Sequence, residues 1–142
     1  MKRNPADSRT PCPCGSELPY ADCCGRWHAG MAQGEHAPTP EALMRSRYSA
    51  YARHLPEYLL ATWHGSTSPG DLELFPVKWL GLEVRHAEMR GDAGVVEFVA
   101  RCRDSAGRAQ RMHELSRFVR EHGRWYYIDG QAPADGEGAS LD

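Results

Sequence analysis

The 142-residue chain has no uninterrupted apolar run approaching the about 20 residues that a membrane-spanning helix needs. Its start, Met1-Lys2-Arg3-Asn4-Pro5, is polar and lacks the apolar centre of a signal peptide. These absences predict a cytoplasmic protein with no membrane partner. A strong charge of either sign is missing too. The formal net charge is −2, which argues against general electrostatic binding to nucleic acid. His113-Glu114 is followed by Leu115-Ser116-Arg117, with no second histidine, so the HExxH helix of a zinc protease is absent. No CxxC pair of the thioredoxin kind occurs among the five cysteines. Nothing triad-like surrounds Cys102, which alternates in phase with Val96 and Phe98 and reads as a small buried hydrophobe rather than a nucleophile.

What the chain does have is a dense thiol cluster. Cys12-Pro13-Cys14 is followed, after eight residues, by Cys23-Cys24. Thiolates are soft ligands suited to a closed tetrahedral Zn²⁺ shell, and a segment this short cannot bury enough apolar surface to order itself without an ion. A disulfide reading is weaker, because a vicinal bridge would be strained and intracellular cysteine clusters favour metal. The spacing therefore predicts one structural Zn²⁺ held by Cys12, Cys14, Cys23 and Cys24. Four thiolates with one Zn²⁺ would carry the net charge from −2 to −4. A catalytic zinc would need an open position that four thiolates normally close.

Cys12-Pro13-Cys14-Gly15-Ser16, Tyr20 and Cys23-Cys24-Gly25 resemble the SEC-C motif, the zinc-binding tail of the translocation ATPase SecA that also occurs on many unrelated proteins. Further along, Met44-Arg45-Ser46-Arg47-Tyr48-Ser49-Ala50-Tyr51, Tyr58-Leu59-Leu60, Thr62-Trp63-His64 and Gly123-Arg124-Trp125-Tyr126-Tyr127-Ile128-Asp129-Gly130 resemble the bacterial YchJ-like proteins. The likeness spans residues 11–130. It implies a SEC-C knuckle joined to a cone of the ketosteroid-isomerase and nuclear-transport-factor type; it implies no particular reaction.

Punctuation and period give the organisation. Residues 1–10 read as loose, 11–30 as the knuckle, and 30–38, with Gly34 and Pro38, as a linker. Thr39, Pro40 and Glu41 make a helix start, and Met44, Tyr48, Tyr51, Ala52 and Leu55 recur on one face of a helix running to residue 54. Pro56 restarts a second helix carrying Leu59, Leu60 and Trp63, and a short helical turn is expected over 71–75. From Lys78 the period becomes two: Leu80, Leu82 and Val84 alternate, and the phase then slips to Ala87 and Met89 as a β-bulge would produce. Turns over 90–94, 104–107 and 121–123 separate three further strands, the last over 124–129. Helices followed by an antiparallel meander predict an α+β cone over 39–130, its curled sheet wrapped around the first helix. The stretch 131–142, acidic and without a basic residue, reads as a disordered tail.

Such a cone commonly leaves a cavity between sheet and helices. Its expected wall residues are Tyr51, Trp63, His64, Trp79, His113, Glu114 and Trp125, although aromatics at core periods are mostly packing. Adjacent strand residues face opposite ways, so only one of His113 and Glu114 can enter the cone and act as a base. Arg45, Arg47 and Arg53 on the first helix read as solvated. Arg101, Arg103, Arg108, Arg111, Arg117, Arg120 and Arg124 could give the sheet a basic stripe for an acidic or nucleic-acid partner. Two functions follow. In the favoured one, the knuckle docks a protein or ribosomal partner through Tyr20, Arg26, Trp27 and His28. In the alternative, the cone binds or converts a small molecule, as an isomerase, cyclase or hydratase would, and the knuckle braces it. No complete set of nucleophile, base and orienting group is visible.

Overall fold

The computed structural model describes residues 10–132. After a 3₁₀ turn at Tyr20–Asp22, helix α1 (Cys24–Gly30) leads into a second 3₁₀ turn at Met31–Gln33. Helix α2 (Pro40–Ala52) begins where the sequence places it: Thr39 Oγ1 accepts the Ala42 N–H at 3.0 Å, Pro40 opens the first turn, and Glu41 pairs with Arg45 at 3.0 Å. Pro56 opens α3 (Pro56–Ala61).

Four strands follow, β1 (Lys78–Arg90), β2 (Ala93–Arg103), β3 (Ala109–Glu121) and β4 (Arg124–Gln131), ordered β1-β2-β3-β4 with every neighbour antiparallel. The phase slip expected after Val84 is a register shift between Val84 and His86, and further shifts lie at Trp79/Gly81 and Arg117/Phe118. Such irregularities increase local twist and curl the sheet. His122 and Gly123 both adopt positive φ, 55° and 80°, which closes the last hairpin in the sense that matches strand twist.

The concave face of the sheet contributes Val96, Phe98, Ala100, Phe118 and Trp125 to a core that also holds Leu43, Met44 and Tyr48 of α2. A second cluster joins Ala50, Tyr58 and Leu59, with Leu72 and Leu74 against it.

Several expectations are corrected. Residues 71–75 are extended rather than helical: Leu72 and Leu74 face inward while Glu73 and Phe75 face out, a period of two, and Pro76 disfavours helix in the residue before it. The stretch 30–38 is no loose linker, since it holds a 3₁₀ turn and places Ala37, 4% exposed, in the main core. Helix α2 is buried on more than one face, so Arg47 is not solvated but 5% exposed, with Ser46 and Ser49 fully buried. β4 takes in Gln131, which the sequence assigns to the tail. The looseness expected for 1–9 and the rest of the acidic tail, 133–142, lie outside the described residues.

Candidate metal centre and cone cavity

The knuckle is built from short-range backbone bonds. Cys12 N–H donates to Leu18 O at 2.9 Å and Tyr20 N–H to Thr10 O at 2.7 Å, while Gly15 turns the chain at a φ of 83°. Gly25 is required by close approach, because a Cβ there would lie 2.7 Å from Tyr20 O and 2.8 Å from its ring. These turns gather Cys12, Cys14, Cys23 and Cys24 so that all four sulfurs lie within 4.8 Å of one another. All are free thiols, and Cys14 Sγ lies 3.6 Å from Cys23 Sγ, too far for a disulfide. A tetrahedral shell with metal–sulfur bonds of about 2.3 Å spaces its sulfurs about 3.8 Å apart, so the cluster fits a metal ion with little movement. Cys102 is not part of it.

Crowding decides how the protons would distribute in the bare cluster. Hydrogen bonds from Cys12 and Cys24 push the Cys14 thiol strongly down, whereas contacts with Cys12 and Cys14, and then burial, push Cys24 up. Ser16 Oγ lies 3.1 Å from Cys23 Sγ, and Ser49 Oγ lies 3.4 Å from Cys12 Sγ. Arg45 Nη1 donates to Cys14 O at 2.9 Å. These contacts orient the would-be ligands, and two of them come from α2.

The knuckle and the cone therefore share one interior. Cys12, Cys14 and Cys24, at 4%, 0% and 1% exposure, belong to the same buried cluster as Met44, Phe98 and Trp125. Of the four expected docking residues, three turn inward, Tyr20 among them, half-buried against the main core. His28 Nε2 lies 2.8 Å from Ser46 O, its Nδ1 bonds the Tyr20 hydroxyl, and its ring meets Tyr58 edge-on. Trp27 is half-buried against both core clusters, which leaves Arg26 outward.

Between α2 and the concave sheet lies a cavity of about 250 Å³. Helix α2 supplies Met44, Arg47, Tyr48 and Tyr51; β1 supplies Trp79; β2 supplies Phe98 and Ala100. Strand β3 supplies Met112, Glu114, Ser116 and Phe118, and β4 supplies Tyr127. Of the expected wall residues, Tyr51, Trp79 and Glu114 are there. Tyr48 and Tyr51 both pack on Trp79, with ring centroids 5.4 and 6.0 Å away. The other four are elsewhere. Trp125 is core beneath Gly94, with the Arg120 guanidinium 5.0 Å from its ring. Trp63 packs edge-on against Tyr127, with the Arg47 guanidinium 5.0 Å from its own ring. His64 lies at the periphery, bonded to Ser66 and, at 2.9 Å, to Glu121. His113 faces away from Glu114, as strand alternation requires, and bonds Glu97 at 2.7 Å.

The charged residue missed by sequence reasoning is Arg47. It lies three residues after Met44 and four before Tyr51, so the apolar helical face itself contained the signal. Its Nη1 donates to Leu59 O and Thr62 Oγ1, both at 2.8 Å, and its guanidinium stands 4.4 Å from the Tyr127 ring centre. Among the described residues no carboxylate lies within 4.0 Å of it, and Nε and Nη2 make no hydrogen bond. Across the cavity, Glu114 accepts from Ser116 Oγ at 2.8 Å, and burial pushes its carboxyl above the ordinary range. Burial likewise raises Tyr48 to about 12 and Tyr127 further.

The expected arginine stripe is partly neutralised. Arg117 pairs with Asp129, Arg120 with Asp92 and Arg108 with Asp104, while Arg101 and Arg111 sit opposite each other on neighbouring strands. No helix among the described residues is long and apolar enough to cross a membrane.

Fold and site together define an NTF2-like cone carrying an N-terminal SEC-C knuckle. The family described as the YchJ middle NTF2-like domain matches residues 39–130, and the SEC-C motif matches residues 10–26. The chain belongs to the YchJ-like family. It is 56% identical over 133 residues to a UPF0225 protein of Bordetella pertussis, covering 92% of this chain and 98% of that one. A UPF0225 protein of Chromobacterium violaceum is 57% identical over 131 residues, covering 87% and 93%. Two solved structures are similar. A SEC-C motif containing protein from Rhodopseudomonas palustris matches with a TM-score of 0.74 at 38% identity, covering 86% of this chain and 98% of that one. Another from Psychrobacter arcticus matches at 0.71 and 31%, covering 87% and 82%.

Proposed function

We propose that this protein is a zinc-braced cone that binds a small molecule in its cavity. The observation that carries the reading is the cavity of about 250 Å³ with a nearly fully buried arginine and a half-buried glutamate in otherwise largely apolar walls. Apolar walls with a few placed polar groups are the usual form of a ligand site. Zinc is the metal best matched to four thiolates, by softness and by ligand count, and free thiols fit a reducing, cytoplasmic setting. The knuckle then serves as a brace, because its cysteines are packed into the core that forms the cavity wall. The docking reading keeps Arg26 as its outward residue and comes second.

A neutral apolar probe tests the cavity. Indole titrated against the metal-loaded protein should give saturable NMR shifts at Ala100, Met112 and Trp79, and Met112→Trp, which fills the mouth, should remove them. Absence of saturable shifts at these residues, with indole and with single-ring probes carrying a polar group alike, would refute the ligand site. Metal analysis under reducing conditions should find close to one zinc per chain, and a protein without zinc would end the brace reading.

A further inference from the structure

We propose that the cone cavity selects a small monocarboxylate with a compact apolar body, its carboxylate held by Arg47 and its body enclosed by Tyr48, Tyr51, Trp79 and Phe118. This rests on the ligand-binding reading and names the class of ligand.

A buried cation is costly unless it is paired. Arg47 is 5% exposed and among the described residues has no carboxylate within 4.0 Å; its two hydrogen bonds go to neutral oxygens and both leave from Nη1. The rings of Trp63 and Tyr127, each beneath the guanidinium, compensate part of that cost. Glu114 faces the same cavity and acts on Arg47 through the space between them, but makes no ion pair with it; the planar fork of the guanidinium suits two parallel bonds to a carboxylate placed in that space.

Glu114 sets the second half of the selection. Its carboxyl lines the same cavity and is pushed up by burial, so it accepts a proton more readily than an exposed glutamate. An entering anion favours that protonated form further, and the acid proton can then be donated to a ligand oxygen. A dianion would place a second charge against apolar walls with no second cation among the lining residues. Size bounds the body as well. A volume of about 250 Å³ corresponds to roughly eight waters at about 30 Å³ each, enough for a single ring or a short branched chain.

Benzoate and benzamide form a matched pair that tests the charge. The two have the same shape, and benzamide offers Arg47 an acceptor and Glu114 a donor without the negative charge. Titration of the full metal-loaded chain, followed by calorimetry and by NMR shifts at Met112 and Ala100, should show benzoate binding at least about tenfold tighter, a difference of about 1.4 kcal/mol. Arg47→Met should bring the two within about twofold of each other. If that variant does not fold, Met112→Trp should abolish binding of both with the fold intact, and the preference in the unmodified chain stands as the deciding measurement. Equal or tighter binding of benzamide overturns the carboxylate class while leaving the cavity as a ligand site. Retention of the preference in a folded Arg47→Met variant removes Arg47 from the role. Failure of both probes and of indole to bind saturably overturns the ligand-binding reading itself.

Discussion

Removing the metal should destabilise the cone, although none of the four cysteines lies on it. Three contacts cross from the knuckle segment to α2: Arg45 Nη1 to Cys14 O at 2.9 Å, His28 Nε2 to Ser46 O at 2.8 Å, and Cys12 Sγ to Ser49 Oγ at 3.4 Å. At about 1 kcal/mol net each, their loss costs about 3 kcal/mol. That is a large part of the roughly 7–20 kcal/mol expected for a chain of 142 residues. At this size each kcal/mol moves the midpoint by about 4 °C, so chelation under reducing conditions should lower the cone transition by about 10–15 °C. The assay is a thermal melt of a Trp27→Phe chain read by near-ultraviolet circular dichroism, whose remaining tryptophans, Trp63, Trp79 and Trp125, all lie in the cone, beside the far-ultraviolet signal of the whole chain. Both signals should fall together. A near-ultraviolet midpoint that moves by less than about 2 °C while the metal is released would refute the shared interior and restore the knuckle as an independent module. Arg45→Met should reproduce part of the loss with the metal still bound.

Trp125→Ala should cost about 3–5 kcal/mol, since the ring is 3% exposed between Gly94 and Arg120, whereas Trp125→Phe should cost less because the buried indole N–H has no partner among the described residues to lose; urea unfolding measures both. Glu114 is raised by burial, so in the unmodified chain stability is lost as pH rises from the unfolded carboxyl range through the folded value. Glu114→Gln should therefore melt higher than the unmodified chain at neutral pH, with the gap closing near pH 4, roughly the unfolded value; a gap independent of pH would contradict the burial argument. Gly130→Ala would place its Cβ 1.7 Å from Glu114 Oε2, expelling the carboxyl from the Ser116 hydroxyl at a cost of about 1–3 kcal/mol, and a melt together with benzoate affinity would show both effects.

The sequence by itself determined most of the elements and the four-thiol cluster. Thr39-Pro40-Glu41 set the start of α2, Pro56 the start of α3, and period-two alternation with a phase slip after Val84 set β1 and its bulge. Cys12, Cys14, Cys23 and Cys24 were legible as one cluster because they are close in sequence, and turn geometry of a few residues is enough to gather them. Where local pattern competed with packing it failed: Leu72 and Leu74 lie in a stretch expected to coil, yet it forms no helix and packs both side chains against the second core cluster. Tertiary structure alone decided which aromatics face the cavity, because Trp63, Trp79 and Trp125 all sit at core periods and differ in the sheet edge or helix end each one meets. It also decided the fate of Arg47 and His28. An arginine on a helix reads as solvated until a second layer covers that face, and a histidine in a knuckle reads as a contact until α2 offers it the Ser46 carbonyl. Burial depends on what the rest of the chain stacks against a residue; a local pattern can mark the face on which Arg47 lies, but not what covers it.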